Sequence, residues 1–573
     1  MNEKLAYPGS LHCHTDYSNF RLRDSINKVD ELIEYANELG HKVIAITEHE
    51  TVASSVAAYE CWEKIKEKNP DFKVILGNEI YLVRDGLTAE NYNKDFDRYY
   101  HFILLAKDAI GHKQIRELST RAWMRSYKQG RMIRVPTYYS DLIEIIGKNP
   151  GHVIGSTACL GGALPTQLLR WRENKDDIFY EEILRWIDSM VSLFGKGNFF
   201  LEMQPSANKD QLFVNNQLLK ISEEKDIPYI ITTDAHYKSK EMRKIHKAYL
   251  NSQDGDREVD DFYATTYLMN TSEIEEYMIE SLGEENLQKS YKNIMNIYDM
   301  CEMYDLRQPL RIPLLPWRDI PEHLDELYYI HKMPELRNFK ESKYKEDNYL
   351  VRAVISGIKE HEDLQNDSAY EELNNCLRDT WVSSEKNNAR WSAYFLNLQK
   401  TIDLCWEAGT IIGPGRGSGV GFLLLYCLDI IQINSLREKT KTFRFRFLNP
   451  DRVSVLDVDT DISGLKRAQV LSHLREYYGE DRVANVLTLG TEKSRSAILT
   501  AARGLGIDVD IARYLSGMIE SDRGEMRTLK QTFYGDEEKG FSPNKQFVFE
   551  MTENYPELWE IAQAIEGLIC RVG

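Results

Sequence analysis

Residues 10–14 read Ser-Leu-His-Cys-His, and we predict that they end the first β-strand of the chain. Side chains alternate between the two faces of a strand, so His12 and His14 fall on one face. Residues 29–39 follow a helical pattern, and residues 43–47 form an apolar strand. Further strands are predicted at residues 73–76, 101–106, 153–156, 199–203 and 229–233. This alternation predicts an α/β fold with parallel strands, in a barrel or an open sheet.

Residues of metal-binding type stand where these predicted strands end. They are His12, His14, His49, Glu79, Cys159, Asp234 and His236. In α/β barrels the carboxyl-terminal rim of the strands carries the chemistry, and imidazole, carboxylate and thiolate groups bind transition metals. A lone histidine is more often a core or surface residue. Recurrence at several strand ends predicts a metal cluster, and the alternative is coincidental polarity at the rim.

A second acidic pattern lies in residues 455–462, Val-Leu-Asp-Val-Asp-Thr-Asp-Ile. Read as a strand, it places Asp457, Asp459 and Asp461 on one face, where their charges repel. Carboxylates about 6.5 Å apart at Cα can converge on two divalent ions roughly 3.5–4 Å apart. This arrangement predicts a two-metal site for phosphoryl transfer. The alternative is a solvated acidic edge strand.

A glycine-rich turn precedes this acidic stretch by some forty residues. Residues 411–421 read Ile-Ile-Gly-Pro-Gly-Arg-Gly-Ser-Gly-Val-Gly, and an apolar helix is predicted from about Val420. Glycines let backbone N–H groups approach an anion, and Arg416 is placed to clamp phosphate directly. The turn is neither a Walker sequence nor a Rossmann fingerprint. A bare glycine turn is the alternative to a phosphate cradle.

Composition and charge limit the class of protein. The chain has 573 residues, a net charge of −18 and an ordinary apolar content, so a large core is expected. No apolar run approaches the ~20 residues of a membrane span, and no signal-peptide pattern opens the chain. Eight cysteines without a paired framework favour a reducing cytoplasm. Six Lys or Arg against two acids, with interleaved Phe, make residues 437–452 a candidate phosphate-contact stretch or an amphipathic strand.

The first half resembles the polymerase-and-histidinol-phosphatase (PHP) domain. The resemblance rests on His12-Cys-His14, Ser18, Asp24, residues 46–49 (Ile-Thr-Glu-His), Gly77-x-Glu79, His101, residues 159–162 (Cys-Leu-Gly-Gly) and Asp234-x-His236. It implies a distorted (β/α)7 barrel with up to three ions of Zn²⁺, Mn²⁺ or Fe²⁺, and 3′→5′ proofreading exonuclease activity. A purely structural metal site is the alternative. The implied ligands are His12, His14, Asp24, His49, Glu79, His101, Cys159, Asp234 and His236.

The second half resembles the palm of bacterial C-family DNA polymerases, the DNA polymerase III alpha subunits. The matching pieces are residues 413–418, 446–450 (Arg-Phe-Leu-Asn-Pro), 457–461 and 490–491. The resemblance implies a partial nucleotidyltransferase-like α+β palm and a helical thumb. Asp459 and Asp461 would be catalytic carboxylates that hold Mg²⁺. The incoming deoxynucleoside triphosphate would lie at Gly415, Arg416, Gly417 and Ser418.

The resemblance places domain boundaries at residues 1–270 (PHP), 271–490 (first part of the palm) and 491–573 (thumb). It implies primer-template DNA as a partner, and no membrane partner is expected. The candidate DNA-contacting residues are Arg446, Arg452, Lys493, Arg495 and Arg503.

In the family, the third carboxylate, the fingers and the sliding-clamp contact follow the segment that resembles residues 566–573. We therefore expect a truncated chain or one piece of a split polymerase that a second polypeptide completes. The chain alone is expected to show no, or very weak, nucleotidyl transfer. The alternatives are a stand-alone PHP phosphoesterase or nuclease and a non-catalytic DNA-binding assembly fragment.

Overall fold

The computed structural model describes residues 4–130, 132–253, 262–321, 324–437, 442–451, 456–522 and 524–572. The chain divides into two compact units. The first unit comprises Met1–Leu306 together with Leu487–Gly573, and the second comprises Arg307–Val486. No helix in the described parts of the chain is both long enough and apolar enough to cross a bilayer.

A seven-stranded sheet forms the centre of the first unit. Its strands run in the order β1-β2-β3-β7-β8-β9, with β6 beside β2, while β4 and β5 form a separate hairpin. The strands are β1 Val43–Ile46, β2 Lys73–Val83, β3 Tyr100–Ala106, β4 Tyr127–Gln129, β5 Met132–Arg134, β6 Thr137–Tyr138, β7 Val153–Ser156, β8 Phe199–Met203 and β9 Tyr229–Ile231.

The sheet is mixed, which corrects the expectation of parallel strands. Strands β1 and β2 are parallel, and so are β7, β8 and β9, but β3 runs antiparallel to both β2 and β7. The connection between β2 and β3 contains no helix, so the chain reverses direction instead of crossing over. A connection of that kind joins antiparallel neighbours.

Residues 8–14 close the sheet between its two edges. The Lys42 amide donates to Pro8 O at 2.8 Å on the β1 side. Beyond β9, the His14 amide donates to Ala235 O at 2.9 Å, and Cys13 forms a parallel bridge with Ala235. The strand predicted at residues 10–14 is thus reduced to this bridge, because its hydrogen bonds to the two edges are irregular. The closed sheet agrees with the expected distorted barrel.

Helices cover the sheet of the first unit. They bury apolar stripes, as Leu32, Ile33 and Ala36 do in the helix expected at residues 29–39. Gly283 interrupts the last helix before residue 306 with non-helical backbone angles. These helices are Val29–Glu38, Ser55–Lys66, Ala109–Met124, Tyr139–Leu142, Ala163–Asn174, Asp177–Phe194, Lys209–Lys225, Arg243–Asn251 and Thr271–Met300.

The C-terminal segment belongs to the same unit. Strands Leu489–Thr491 and Ile569–Val572 pair antiparallel, and Ser521–Asp522 pairs with Glu525–Met526. The side chains of Ile498 and Ile561 share one hydrophobic cluster with Tyr249 of the barrel. The helices of this segment are Ser494–Gly504, Val509–Gly517, Leu529–Tyr534, Lys545–Phe549 and Pro556–Ile565.

The second unit is helical within its described residues. The helix expected at residues 391–407 has those bounds, and the charged stretch 341–372 contains helical segments. The helices are Glu326–Lys332, Leu336–Lys340, Lys345–Glu360, Asp367–Asn387, Trp391–Glu407, Leu423–Cys427 and Arg467–Tyr478. The apolar helix expected from Val420 is a 3-10 turn at Gly417–Gly421 followed by the short helix at 423–427.

The strand predicted at residues 455–462 is wrong where it is described. Residues 456–461 are irregular, and Ile462 forms only an isolated antiparallel bridge with Ile412. Gly413 adds one hydrogen bond, from its amide to Asp461 O at 2.8 Å. A strand needs a neighbour along its length, and this segment has one only at its end.

Candidate active sites

The nine expected PHP ligands lie together at one end of the barrel sheet. All are buried except His101, whose side chain is 25% exposed. Three groups of side chains bring their ligand atoms within 4.8 Å of one another: His14, His49 and His236; His12, His14 and Asp234; and Glu79, His101 and Cys159. Asp24, the remaining expected ligand, places Oδ2 3.2 Å from His49 Nε2 and 3.7 Å from His236 Nε2.

The local backbone explains why these side chains meet. His12 and His14 flank the bridge at Cys13, and their Nε2 atoms are 3.0 Å apart. Both nitrogens face Asp234 Oδ1, at 3.2 and 3.1 Å. Glu79 follows β2 inward, and its Oε1 lies 2.7 Å from His101 Nδ1. The strand-end pattern therefore converges on one space.

The donor set fits divalent cations. Asp24 Oδ1, Glu79 Oε1 and Asp234 Oδ1 are buried oxygens that accept no aligned hydrogen bond from the described residues. Burial alone raises the pKa of Asp24 and Glu79, but the imidazoles around them bring both pKa values well below the ordinary range. These carboxylates are thus ionised, which is the state that binds cations.

Two further groups have pKa values that suit metal binding. Burial and the neighbouring His49 lower the pKa of His14 to about 3, so its imidazole is neutral and offers a lone pair. Burial raises the pKa of the Cys159 thiol well above its ordinary value. A cation at the Cys159 Sγ atom is the partner that favours its thiolate.

The sequence did not identify Glu202, which holds His12. Glu202 Oε1 lies 2.7 Å from His12 Nδ1, and the carboxylate also accepts hydrogen bonds from Ser156 Oγ and Thr232 Oγ1, at 2.7 and 2.6 Å. Glu202 is fully buried in β8, whose sequence is Phe-Phe-Leu-Glu-Met. A lone carboxylate in an apolar strand is the signal that was available, because a buried charge needs a partner.

The acid next to His49 binds hydroxyl groups. Glu48 accepts hydrogen bonds from Thr15 Oγ1 and Ser18 Oγ, both at 2.5 Å, and from the Thr15 amide at 3.0 Å. Ser18 Oγ in turn accepts from the His49 amide at 3.0 Å. Glu48 therefore fixes the loop that carries His49 and is not directed at the cluster.

The second unit brings its two acids to the glycine turn. Arg416 Nη2 lies 3.2 Å from Asp459 Oδ1, and Arg416 Nε lies 3.1 Å from Asp461 Oδ1. These side chains are 57%, 38% and 61% exposed, in the order Arg416, Asp459 and Asp461. Asp457 is exposed too. The site is open to solvent, so its charges are screened more than those of the barrel cluster.

Glycine is required at two positions of the turn. Gly417 has φ +70°, and a Cβ there would lie 3.0 Å from Asp459 Oδ2. Gly415 has φ +123°, and its Cβ would press on Ile431 at 3.1 Å. Ser418 is exposed at the start of the 3-10 turn. The expected nucleotide-binding residues and the acids therefore lie side by side.

The expected DNA-contacting residues differ in their surroundings. Arg446 is exposed, close in sequence to Phe443 and Phe445, which are 50% and 58% exposed and are not core residues. Lys493 is exposed before its helix, and Arg495 donates to Ile519 O at 3.2 Å. Arg503 donates to Ser252 O at 3.2 Å. Arg452 lies outside the described residues.

Two protein-family models match the chain. Residues 10–206 match the PHP domain. Residues 350–573 match the bacterial DNA polymerase III alpha NTPase domain.

Curated relatives cover nearly the whole chain. The probable DNA polymerase YorL of Bacillus subtilis strain 168 and a DNA-directed DNA polymerase of Bacillus phage SPbeta are each 39% identical to it over 588 residues. The alignments cover 97% of this chain and 44% of each relative. The DNA polymerase III subunit alpha of Thermus aquaticus is 28% identical, over 99% of this chain and 47% of its own length.

The chain thus spans less than half the length of these relatives. Both domain matches agree with the motifs and with the two clusters of acidic and imidazole groups. Residues 10–206 belong to the PHP domain family, and residues 350–573 belong to the bacterial DNA polymerase III alpha family.

Proposed function

We propose that this chain is part of a replicative DNA-directed DNA polymerase and that its PHP domain is a metal-dependent 3′→5′ proofreading exonuclease. The observation that carries the nuclease proposal is the convergence of all nine expected ligands in one cluster. The observation that supports the polymerase proposal is the contact of Arg416 with both Asp459 and Asp461 beside the glycine turn.

In the barrel, the side chains have separate tasks. The three groups of ligands would hold up to three ions, of which Zn²⁺, Mn²⁺ and Fe²⁺ suit the mixture of imidazole, carboxylate and thiol. Bound ions would activate water for attack on phosphorus and would stabilise the leaving oxygen. Glu202 holds the His12 ring so that Nε2 points into the cluster, and Tyr81 places its hydroxyl 3.0 Å from His49 Nδ1.

In the palm, Asp459 and Asp461 would hold Mg²⁺, the ion that suits exposed carboxylates and nucleotide phosphates. Arg416 lies between these acids and is placed to contact the triphosphate of a deoxynucleotide. The irregular backbone at Gly417 leaves room beside Asp459. These residues bind and orient the nucleotide against the primer end.

The remaining parts of the polymerase site are proposed to lie in sequence beyond this chain, since the relatives are more than twice as long. They would supply the third carboxylate, the fingers and the sliding-clamp contact, in the same polypeptide or in a second one. A cytoplasmic location fits the eight cysteines, all of which are unpaired and buried.

The exonuclease is tested with the paired substitutions His12→Ala and His14→Ala. We expect loss of Mn²⁺-dependent 3′→5′ hydrolysis of labelled single-stranded DNA, with DNA affinity retained. The matched control is His331→Ala, an exposed histidine of the second unit. Hydrolysis that persists in the double variant contradicts the proposal and leaves a structural metal site. Failure to bind transition metals supports the non-catalytic alternative.

The polymerase role is tested by primer extension with the chain alone and with the downstream region of a relative added. We expect extension only in the second case and its loss in Asp459→Asn. Extension by the mixture that is insensitive to Asp459→Asn contradicts the assignment. Absence of extension alongside active hydrolysis supports the stand-alone PHP nuclease.

A further inference from the structure

An arginine-lined pocket lies in the first unit, away from the ligands themselves. It has a volume of about 620 Å³ and is formed by residues 19–23, the β4–β5 hairpin, and the chain near residues 252, 503 and 571. Its charged lining residues are Arg21, Arg23, Arg503 and Arg571, and no aspartate or glutamate is among its described lining residues. The whole chain carries −18, so this is a local reversal of charge.

Within the described residues, no carboxylate forms an ion pair with any of these arginines. The Arg21 side chain stacks on Tyr81, with its guanidinium carbon 3.6 Å from the ring centre. Arg21 is only 7% exposed, and its Nε atom is buried without an acceptor. Arg503 uses one nitrogen to reach Ser252 O. Buried donors without acceptors are costly, so the pocket is suited to an anionic ligand.

Apolar side chains separate the arginines. Phe20, Leu22, Met132 and Ile133 line the same pocket, and Val572 is 45% exposed at its edge. Single-stranded nucleic acid is bound by this combination, because cations contact the backbone while apolar and aromatic faces pack against the bases. A free phosphate ion has no use for the apolar surface.

The pocket is connected to the metal cluster through direct contacts. Tyr81, on which Arg21 stacks, places its hydroxyl 3.0 Å from His49 Nδ1. Arg23 directly precedes Asp24, whose amide donates to Asn19 Oδ1 at 3.2 Å, and Asn19 lines the pocket. A strand held by the arginines therefore lies next to the cluster.

We propose that this pocket binds the phosphodiester backbone of single-stranded DNA and leads its 3′ end to the PHP metal cluster. The assignment rests on the proposed nuclease function for its direction but not for the binding itself. The sequence motif is Arg21-Leu22-Arg23-Asp24, in which two strand-binding cations precede a metal ligand.

The test is fluorescence anisotropy of a labelled oligothymidylate with the full chain, in EDTA so that no hydrolysis occurs. The double variant Arg23→Gln and Arg571→Gln is expected to bind roughly ten-fold more weakly at moderate salt. Its slope of log affinity against log salt is expected to fall by about 2, one for each lost phosphate contact. The charge-retaining variant Arg23→Lys and Arg571→Lys should keep the slope.

The matched control is Arg185→Gln, an exposed arginine on helix Asp177–Phe194, which should bind like the parent chain. Thermal unfolding verifies that each variant is folded. Unchanged affinity and salt slope in the double glutamine variant overturn the pocket assignment. Displacement of the oligonucleotide by inorganic phosphate, beyond the effect of chloride at equal ionic strength, assigns the pocket to a free anion instead.

Hydrolysis in Mn²⁺ separates this proposal from the nuclease proposal. If the parent chain does not cleave DNA but the double variant still binds it weakly, the nuclease proposal fails and the pocket stands. If the parent chain cleaves DNA and the double variant shows the same KM, the pocket fails and the nuclease stands. With both correct, KM rises in the double variant while hydrolysis of thymidine 5′-p-nitrophenyl phosphate, too small to span the pocket, is unchanged.

Discussion

The Oε1 atom of Glu202 lies 2.7 Å from Nδ1 of His12, and both side chains are fully buried. The contact fixes the imidazole so that Nδ1 faces the carboxylate and Nε2 faces Asp234. Carboxylate partners of this kind orient metal-binding histidines and raise their basicity. Glu202 therefore belongs to the machinery of the cluster although it is not one of its ligands.

Glu202→Gln is expected to weaken metal binding by about 10–100-fold, because the neutral amide orients His12 less strongly. Isothermal titration with Zn²⁺ or Mn²⁺ measures the change. Gln204→Glu, which keeps a side chain beside Glu202, is not a suitable control because the two side chains are in contact at 3.2 Å. Glu181→Gln, exposed in the same unit, is the control. Unaltered affinity in Glu202→Gln shows that His12 is oriented without it.

Metal removal is expected to lower the stability of the first unit. Asp24, Glu79 and Asp234 are buried carboxylates that a bound cation neutralises. Free metal at 100 times its Kd stabilises a folded protein by about 2.7 kcal/mol. Thermal unfolding with excess Mn²⁺ and with EDTA should therefore differ in Tm. An equal Tm under the two conditions contradicts metal binding by the folded cluster.

Gly417→Ala is expected to impair nucleotide binding. Its backbone at φ +70° disfavours a side chain by roughly 1–2 kcal/mol, and the added Cβ meets Asp459 Oδ2 at 3.0 Å. We expect a fluorescent deoxynucleotide to bind roughly ten-fold more weakly in Mg²⁺, a change of about 1.4 kcal/mol. The control is Gly464→Ala, where the new Cβ has no neighbour within 4 Å. Equal binding by the two variants argues against the proposed triphosphate position.

His41 predicts an acid-side loss of stability. Burial lowers its pKa to about 4, and its Nε2 lies 3.1 Å from Met269 O. The unfolded chain takes up this proton below about pH 6.5 while the folded chain does not, so folding stability falls as the pH drops toward 4. The contribution is about 1.4 kcal/mol for each pH unit, or roughly 2 kcal/mol at pH 5.

Urea unfolding at pH 7 and pH 5 measures this effect, with His41→Gln as the comparison. Glutamine does not titrate, so the drop between the two pH values should be smaller in the variant by the stated amount. The exposed His331→Gln is the control and should show the full drop. A His41→Gln profile that parallels that of the parent chain removes His41 as the cause.

Gly504→Ala is expected to destabilise the first unit. A Cβ at Gly504 would lie 2.1 Å from the backbone oxygen of Ala248, so the helices Ser494–Gly504 and Arg243–Asn251 must separate. Overpacking of this kind costs about 1–3 kcal/mol. Gly517→Ala, at the end of the next helix with no neighbour within 4 Å, is the matched control and should be neutral or stabilising. Urea unfolding compares the two.

The ligands of the barrel cluster could be predicted from sequence because each is local to a strand end. Residues 153–156 and 199–203 form strands with the predicted bounds. The residue types at the ends of such strands meet at one rim, whatever the details of the sheet. Glu202 was missed because it lies within a strand, where a carboxylate is identified only by the buried partner it contacts.

Strand pairing was less accessible, since it depends on residues far apart in sequence. The alternation in residues 455–462 predicted a strand, but the segment finds a partner only at Ile412. Arg21 and Arg23 became notable only when the fold brought Arg503 and Arg571 beside them. The domain boundaries at residues 270 and 490 stay predictions, as do the roles of the site residues.

The composition of the first unit from two separate lengths of chain has a consequence for biosynthesis. Ile498 and Ile561 contribute to the same hydrophobic cluster as Tyr249, so a nascent chain released only up to residue 306 leaves that cluster incomplete. The second unit is contiguous and can bury its own cluster while still attached to the ribosome. The barrel, although translated first, is therefore finished last.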